Sequence, residues 1–323
     1  MNTLFEKTTR YLDKQIAELP EGHPIERQYK IDSREYEIKD CEIVDPIGDE
    51  IYTKTKGLIH RYSDRVLLFP RNDCLIQCRF CFRKWRLQTE KTELTYDEIS
   101  EAMKYISAHD EIWEVILTGG EPLMTDIRKL EYIINELKKI SHIKVLRIHT
   151  RAIIAEPSII TNKLIDTLCK FEPLYIVIHC NHPDEITTEV SEKLKMLSQR
   201  GIVLLSQSAL LKGVNADTNT IEKLCRKLIE NRVKPYYLHH CDLVPGTGHF
   251  RTSINEGQNI LKGIRGRVSG ICWPTYVLDI PNGFGKVPLG PFYYEKDATG
   301  NTIVTDYKGN RHEYPDIDNK TKV

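Results

Sequence analysis

The sequence predicts an α/β fold: a partial (βα)6 barrel with an N-terminal helical extension and a short C-terminal β-rich segment. Short apolar runs suited to buried strands recur at Val66–Phe69, Trp113–Leu117, Val145–Ile148, Tyr175–Ile178, Ile202–Leu205 and Tyr236–Leu238. Amphipathic helical stripes fill the intervals, clearest at Leu130, Ile133, Ile134 and Leu137 and again at Val190, Leu194 and Leu197. Strands alternating with helices of this length indicate a parallel sheet, and successive right-handed crossovers curl it into a barrel. The unusual polar clusters also fall where such strands end, which is the ligand-binding rim of parallel β/α folds.

In chain order, Leu4, Thr8, Tyr11, Leu12, Ile16 and Leu19 repeat at helical spacing, and Pro20 with Gly22 ends the helix. The polar stretch that follows, with turn signals at Asp45-Pro46 and Gly48, completes an extension over 1–57. Residues 58–252 form the barrel. Residues 253–323 hold a helix over Asn255–Lys262, an apolar strand within 269–286 that runs into a glycine-containing loop ending at Lys286, and a β-meander turning at Gly300-Asn301 and Lys308-Gly309-Asn310.

Lys+Arg and Asp+Glu are both 46. Charge therefore gives no support to nucleic acid or an anionic membrane as a partner. No apolar run reaches bilayer length, so a cytoplasmic protein is expected. Nine cysteines without a secretory signal favour reduced thiols or metal ligation over disulfides. Cys41, Cys169, Cys180, Cys225, Cys241 and Cys272 are expected to be buried small residues.

Cys74, Cys78 and Cys81 stand at C-x3-C-x2-C spacing. Thiolates gathered so closely repel one another and persist when a metal or cluster neutralises them. No fourth cysteine follows at short spacing, so a four-iron cluster held here keeps one iron open for a chelating ligand. The competing explanations are three structural thiols, or zinc completed by a distant histidine such as His60.

Gly119-Gly120-Glu121-Pro122 follows the second strand, where glycines let backbone approach a ligand. His149-Thr150-Arg151, His179-Cys180-Asn181-His182, Gln207 and Cys241-Asp242 lie at the ends of the next four strands. Lys286 can condense with the aldehyde of pyridoxal phosphate, or be an ordinary exposed lysine. Arg61 and Arg65, at i and i+4, can bind a phosphate or form a solvated basic face. Asp242 and Asp279 end apolar strands, where a carboxylate is costly unless it caps a turn or meets a cation. Arg83 can grip a carboxylate in bidentate fashion, or be a surface charge.

These residues, in this order from about Gly57 to Pro291, closely resemble the lysine 2,3-aminomutase family of radical S-adenosylmethionine (SAM) enzymes. The cysteine motif with Phe80 before its last cysteine, Leu146-Arg-Ile-His-Thr-Arg151, His179-Cys-Asn-His-Pro183, Gln207 to Asn215, Pro235 to Leu243, Gly248 to Thr252 and Asp279 to Lys286 carry the resemblance. It implies a radical SAM barrel in an isomerase using a [4Fe–4S] cluster, SAM and pyridoxal phosphate (PLP).

Residue by residue, the resemblance gives the cluster to Cys74, Cys78 and Cys81, and SAM to Gly119, Gly120, Glu121, Arg151 and His179. Lys286 would carry PLP, with Arg61, Arg65 and Gln207 on its phosphate side. Arg83 would bind the substrate carboxylate, and Asp242 with Asp279 a distal ammonium. The implied reaction converts L-lysine to β-lysine: reductive cleavage of SAM yields a 5′-deoxyadenosyl radical that removes and returns a hydrogen while the amino group migrates on PLP.

The partners implied are an amino acid, an electron donor such as flavodoxin or ferredoxin, and no nucleic acid or membrane. A homodimer is left open. The family's cysteine-rich C-terminal zinc site is absent from the sequence, so no zinc is expected. Asn282 and Phe284 stand where glycines are common, and His239 where an aromatic residue is frequent. The alternatives are the same chemistry on arginine or ornithine, β-lysine supply for modifying a translation elongation factor, and a non-catalytic zinc-stabilised binding protein.

Overall fold

The computed structural model describes residues 4–87 and 93–317. Its centre is a ten-stranded sheet in which the strands follow one another in chain order. They are β1 (Thr53–Thr55), β2 (Leu58–Tyr62), β3 (Arg65–Arg71), β4 (Glu114–Gly119), β5 (Val145–Thr150), β6 (Leu174–His179), β7 (Val203–Leu210), β8 (Val233–His240), β9 (Thr275–Ile280) and β10 (Gly285–Pro288). From β3 to β9 every neighbouring pair is parallel, while β1, β2 and β10 pair antiparallel at the two edges.

The predicted barrel strands are thus present as β3 to β8, and β9 adds a seventh parallel strand. Lys286 lies within a β-hairpin strand rather than at the end of a loop. Arg61 lies on β2 and Arg65 opens β3. They flank a tight reversal in which Tyr62 pairs with Arg65, because Ser63-Asp64 supplies turn residues between two extended runs.

The helices joining the parallel strands are α2 (Tyr96–Ser107), α3 (Ile127–Lys139), α4 (Asn162–Leu168), α5 (Thr188–Gln199), α6 (Thr218–Glu230) and α7 (Ile254–Ile264), preceded by α1 (Arg10–Ala17). Local chemistry fixes their starts. Thr95 with Glu98 and Ser253 with Glu256 form capping boxes at α2 and α7, and Thr187 and Asp217 cap α5 and α6. The predicted stripe Leu130, Ile133, Ile134 and Leu137 is fully buried against Leu117, Leu146 and Ile148 of the sheet. Each such burial contributes about 1.5–3 kcal/mol.

The N-terminal helix is shorter than its periodicity predicts. Thr9 caps it through Leu12 N at 3.1 Å, and the residues before it are extended because the cysteine loop uses their carbonyls. Gln77 N donates to Lys7 O at 2.8 Å, and Arg79 Nη1 donates to Phe5 O at 2.8 Å. Tertiary hydrogen bonds override local helix preference here.

The sheet curls until its two edges meet through side chains. Lys286 N donates to the Tyr62 hydroxyl at 2.9 Å, and Arg61 Nη2 lies 3.8 Å from Asp279 Oδ1. The tail forms a separate three-stranded meander, β11 (Tyr294–Lys296), β12 (Thr302–Thr305) and β13 (Arg311–Tyr314). Asp297 and Asp306 organise its turns by accepting backbone N–H bonds from residues two and four positions on. Among the described residues no helix is long and apolar enough to cross a membrane.

Candidate functional site

A cavity of about 840 Å³ opens at the carboxyl ends of the parallel strands and is lined by every one of the site residues predicted above. Cys74, Cys78, Cys81 and Arg83 come from the loop after β3. Gly119 to Glu121 come from the end of β4, Arg151 from just after β5, His179 from β6 and Gln207 from β7. Asp242 follows β8, Asp279 ends β9, Lys286 lies on β10, and Arg61 and Arg65 come from the first hairpin. Gln207 is in the middle of β7 rather than at its end, since that strand runs on to Leu210.

All three loop cysteines are free thiols. Burial is the main cause raising their pKa values, and their mutual proximity adds to it for Cys74 and Cys78, the latter being pushed up to about 12. Such thiols ionise when a cation sits among them, which is what an iron–sulfur cluster supplies. Among the described residues no three of His, Cys, Asp and Glu converge on one point as a single metal ion requires. Three thiols with no fourth cysteine at short spacing match the donor set of a four-iron cluster that keeps one iron open. His60 instead bonds the Tyr105 hydroxyl at 3.1 Å. Of the other cysteines, Cys180, Cys225, Cys241 and Cys272 are buried as expected, whereas Cys41 is exposed and Cys169 half-buried; Cys41 lies in the polar extension and has no core to enter.

A buried ion cluster anchors the cysteine loop. Glu35 of the N-terminal extension takes Arg79 Nε at 2.9 Å and Nη2 at 2.6 Å, and Lys84 Nζ at 3.2 Å. Burial lowers the Lys84 pKa against the opposing pull of Glu35.

The glycines beside the loop have a packing reason. A Cβ on Gly120 would lie 2.2 Å from Asp73 O, and Gly119, at φ +101°, presses on the Phe69 ring. Glu121 is fully engaged: its oxygens accept from Leu123 N, Thr150 Oγ1, Arg151 N and Ala152 N at 2.6–3.1 Å. It thereby ties the end of β4 to the end of β5. Arg151 is locked into a buried network with Glu185, Tyr29 and Gln28. His179 is different. Burial, then the charge of Arg151, drives its pKa down to about 3, so it is neutral, and its Nε2 has no protein partner. His149, 5.8 Å from it ring to ring, has an orphan Nε2 as well. Two half-buried, neutral imidazoles whose buried Nε2 atoms are unsatisfied fit a polar organic cofactor at this wall.

The opposite chemistry surrounds Lys286. Its ammonium contacts the Asp279 carboxylate and lies 3.3 Å from His239 Nδ1. Burial raises the Asp279 pKa, but the hydrogen bond from His239 and the charge of Lys286 outweigh it and hold the group well below the usual range. Asp242 has no such partner. Burial, then the Asp279 charge, pushes it up to about 7. A lysine on the cavity wall, with Arg61 3.8 Å from its Asp279 partner and Arg65 lining the same cavity, fits PLP, which needs one amine and cations for its phosphate.

Sequence inspection missed Tyr62, Asp49 and the Glu35, Glu185 and Tyr29 anchors. Asp49 is 3% exposed, lines the cavity, and binds Arg83 Nε at 2.7 Å. Tyr62 stands next to Arg61 and three residues before Arg65, a position that already points to the site. Glu35 and Tyr29 lie in the extension away from any motif, and Glu185 lies two residues past Pro183; each reaches the site through contacts far along the chain.

Residues 69–228 match the family model described as the radical SAM superfamily, and residues 261–323 match the model described as lysine-2,3-aminomutase. The chain is similar to L-lysine 2,3-aminomutase of Fusobacterium nucleatum (35% identity over 298 residues, 92% of this chain and 70% of that protein). It is similar to L-lysine 2,3-aminomutase of Acetoanaerobium sticklandii (38% over 277 residues, 86% and 67%). It also resembles glutamate 2,3-aminomutase of Clostridioides difficile (37% over 269 residues, 83% and 64%). The chain spans about two thirds of the length of these relatives. Among solved structures it shares a fold with a radical SAM methyltransferase from Sphaerobacter thermophilus (TM-score 0.50, 17% identity, 68% of each chain). Streptococcus suis SuiB bound to S-adenosylmethionine gives the same score at 16% identity, covering 68% of this chain and 51% of that one.

Proposed function

The chain belongs to the lysine 2,3-aminomutase family, and from that premise we propose that it moves the α-amino group of L-lysine to C3, giving β-lysine. A [4Fe–4S] cluster with SAM supplies a nucleoside radical, and PLP carries the migrating nitrogen. Cys74, Cys78 and Cys81 would hold the cluster; Gly119, Gly120, Glu121, Arg151 and His179 would seat SAM; Lys286, Arg61, Arg65 and Gln207 would hold PLP. The proposal includes a one-electron donor of the flavodoxin or ferredoxin kind.

What the chain's own groups do follows from their charges. Arg83 offers a guanidinium to the substrate carboxylate. Asp279 holds the Lys286 ammonium in the free protein, and Asp242 and Asp279 line the cavity together as two carboxyl groups that would face a substrate cation. The cavity walls, largely aliphatic and aromatic where they are not polar, exclude water from a reactive radical.

The observation that carries the substrate assignment is Asp242. A carboxyl that burial, then the Asp279 charge, pushes up to about 7 against the pull of Lys286, Arg83 and Arg61 gains from a ligand that brings positive charge. A substrate ending in an ammonium does so, and one ending in a carboxylate adds a third like charge. The test is binding without SAM, followed by the visible spectrum of bound PLP. L-Lysine should half-saturate the change at a concentration at least about tenfold below L-norleucine, its counterpart without the ammonium, and below L-glutamate. Equal half-saturation by lysine and norleucine would overturn the assignment.

A further inference from the structure

Residues 45–50 form a tight turn across the cavity rim. Asp45 Oδ1 accepts from Asp49 N and Oδ2 from Glu50 N, both at 2.9 Å, and Asp45 O accepts from Gly48 N at 3.2 Å. Gly48 adopts φ +68°, and a Cβ there would stand 3.0 Å from Gly283 Cα. The turn is therefore pressed against the Lys286 hairpin, where Asn282 N donates to Pro46 O at 3.0 Å. Arg61 Nη1 donates to Ile47 O at 2.7 Å. One short segment thus touches the elements that carry Arg61, Lys286 and Arg83.

The turn aims Asp49 inward. Its carboxylate takes Arg83 Nε at 2.7 Å and Nη2 at 3.4 Å, and Arg86 Nη1 lies 3.7 Å away. The Arg83 guanidinium carbon also sits 4.7 Å from the Phe69 ring centre and 4.5 Å from that of Phe82. One edge of the guanidinium is occupied and its planes lie against aromatic rings, while the residue still lines the cavity. An arginine side chain free to rotate would lose about 2 kcal/mol of rotamer entropy on gripping a ligand; here that ordering precedes binding.

We propose that Asp49 is a positioning residue for the reaction: it holds Arg83 by its Nε edge so that the remaining N–H groups meet the α-carboxylate of the amino acid substrate. This rests on the assignment of Arg83 to the substrate carboxylate. Asp45 acts one step further out, by fixing the turn that presents Asp49.

The test compares wild type with Asp49→Ala, Asp49→Glu and Asp45→Asn, using L-lysine and L-lysinamide, which lacks the carboxylate. Asp49→Ala should raise KM for lysine about tenfold or more, leave kcat within about threefold, and leave half-saturation by lysinamide unchanged. Asp49→Glu should recover most of the lost affinity. Asp45→Asn, which keeps the ion pair but loosens the turn, should shift KM in the same direction by less. Iron content and the spectrum of bound PLP establish that each variant is folded. If Asp49→Ala does not fold, Asp45→Asn decides. An unchanged KM, or equal losses for lysine and lysinamide, would overturn the role of Asp49. Absence of lysine binding by wild type would instead overturn the substrate assignment.

Discussion

Lys286 and Asp279 are cross-strand partners in the β9–β10 hairpin, and the lysine ammonium rests on the aspartate carboxylate. The pairing places the candidate PLP amine and a candidate substrate ligand side by side, so occupying one changes the charge seen by the other. Removing the amine should therefore do more than lose a covalent anchor. Lys286→Ala should cut turnover by about a thousandfold or more. Borohydride reduction followed by peptide mass analysis should find PLP on Lys286 in wild type and on no lysine of the variant.

Asp242 gives a pH dependence with a defined sign. Its carboxyl ionises near 7 in the folded protein because of burial and then Asp279, whereas an unfolded aspartate ionises near 4. Between those values the native state holds the extra proton, so stability falls as pH rises through the window and levels off above 7. Asp242→Asn removes this loss. In the substrate-free protein at pH 8 it should be about 2–4 kcal/mol more stable than wild type by denaturant titration, while its KM for lysine rises. In wild type, KM for lysine should rise as pH drops below 7, because protonated Asp242 no longer attracts the ammonium.

Glu35 is fully buried with two cations on one carboxylate. Glu35→Gln leaves Arg79 and Lys84 charged and unpaired behind the cysteine loop. Breaking a buried pair in this way costs about 3–5 kcal/mol, measurable as a lower urea midpoint, and iron should be retained less well on dialysis.

Each loop cysteine ligates the cluster in this account. Cys78→Ser should lower bound iron and sulfide from about four of each per chain to under about one, with loss of the brown colour and unchanged far-ultraviolet circular dichroism. Cys225→Ser, a change in a buried helix residue, should leave iron content as in wild type.

Much of this was legible in the sequence because it rests on local pattern. The short apolar runs and the period-3.6 stripes pointed to β3 to β8 and to α3 and α5, and the turn signals pointed to the tail meander. The cysteine loop, Gly119 to Glu121, Arg151, His179 and Asp242 were legible because parallel strands bring their carboxyl ends to one rim. What escaped depended on long-range contact. Nothing near Asp49 announces that it meets Arg83, and nothing near Phe5 announces that its carbonyl serves Arg79 and shortens the first helix. Nothing near Arg61 and Arg65 announces that they flank a hairpin, because only the pairing of Tyr62 with Arg65 sets that reversal.

The most direct measurement is nuclear magnetic resonance of the products formed when the anaerobically reconstituted, reduced protein is given L-lysine, SAM and PLP. The account predicts β-lysine, with nitrogen on C3 and the ε-ammonium untouched. Unchanged lysine, with L-glutamate or another amino acid converted to its β-isomer under the same conditions, would contradict it.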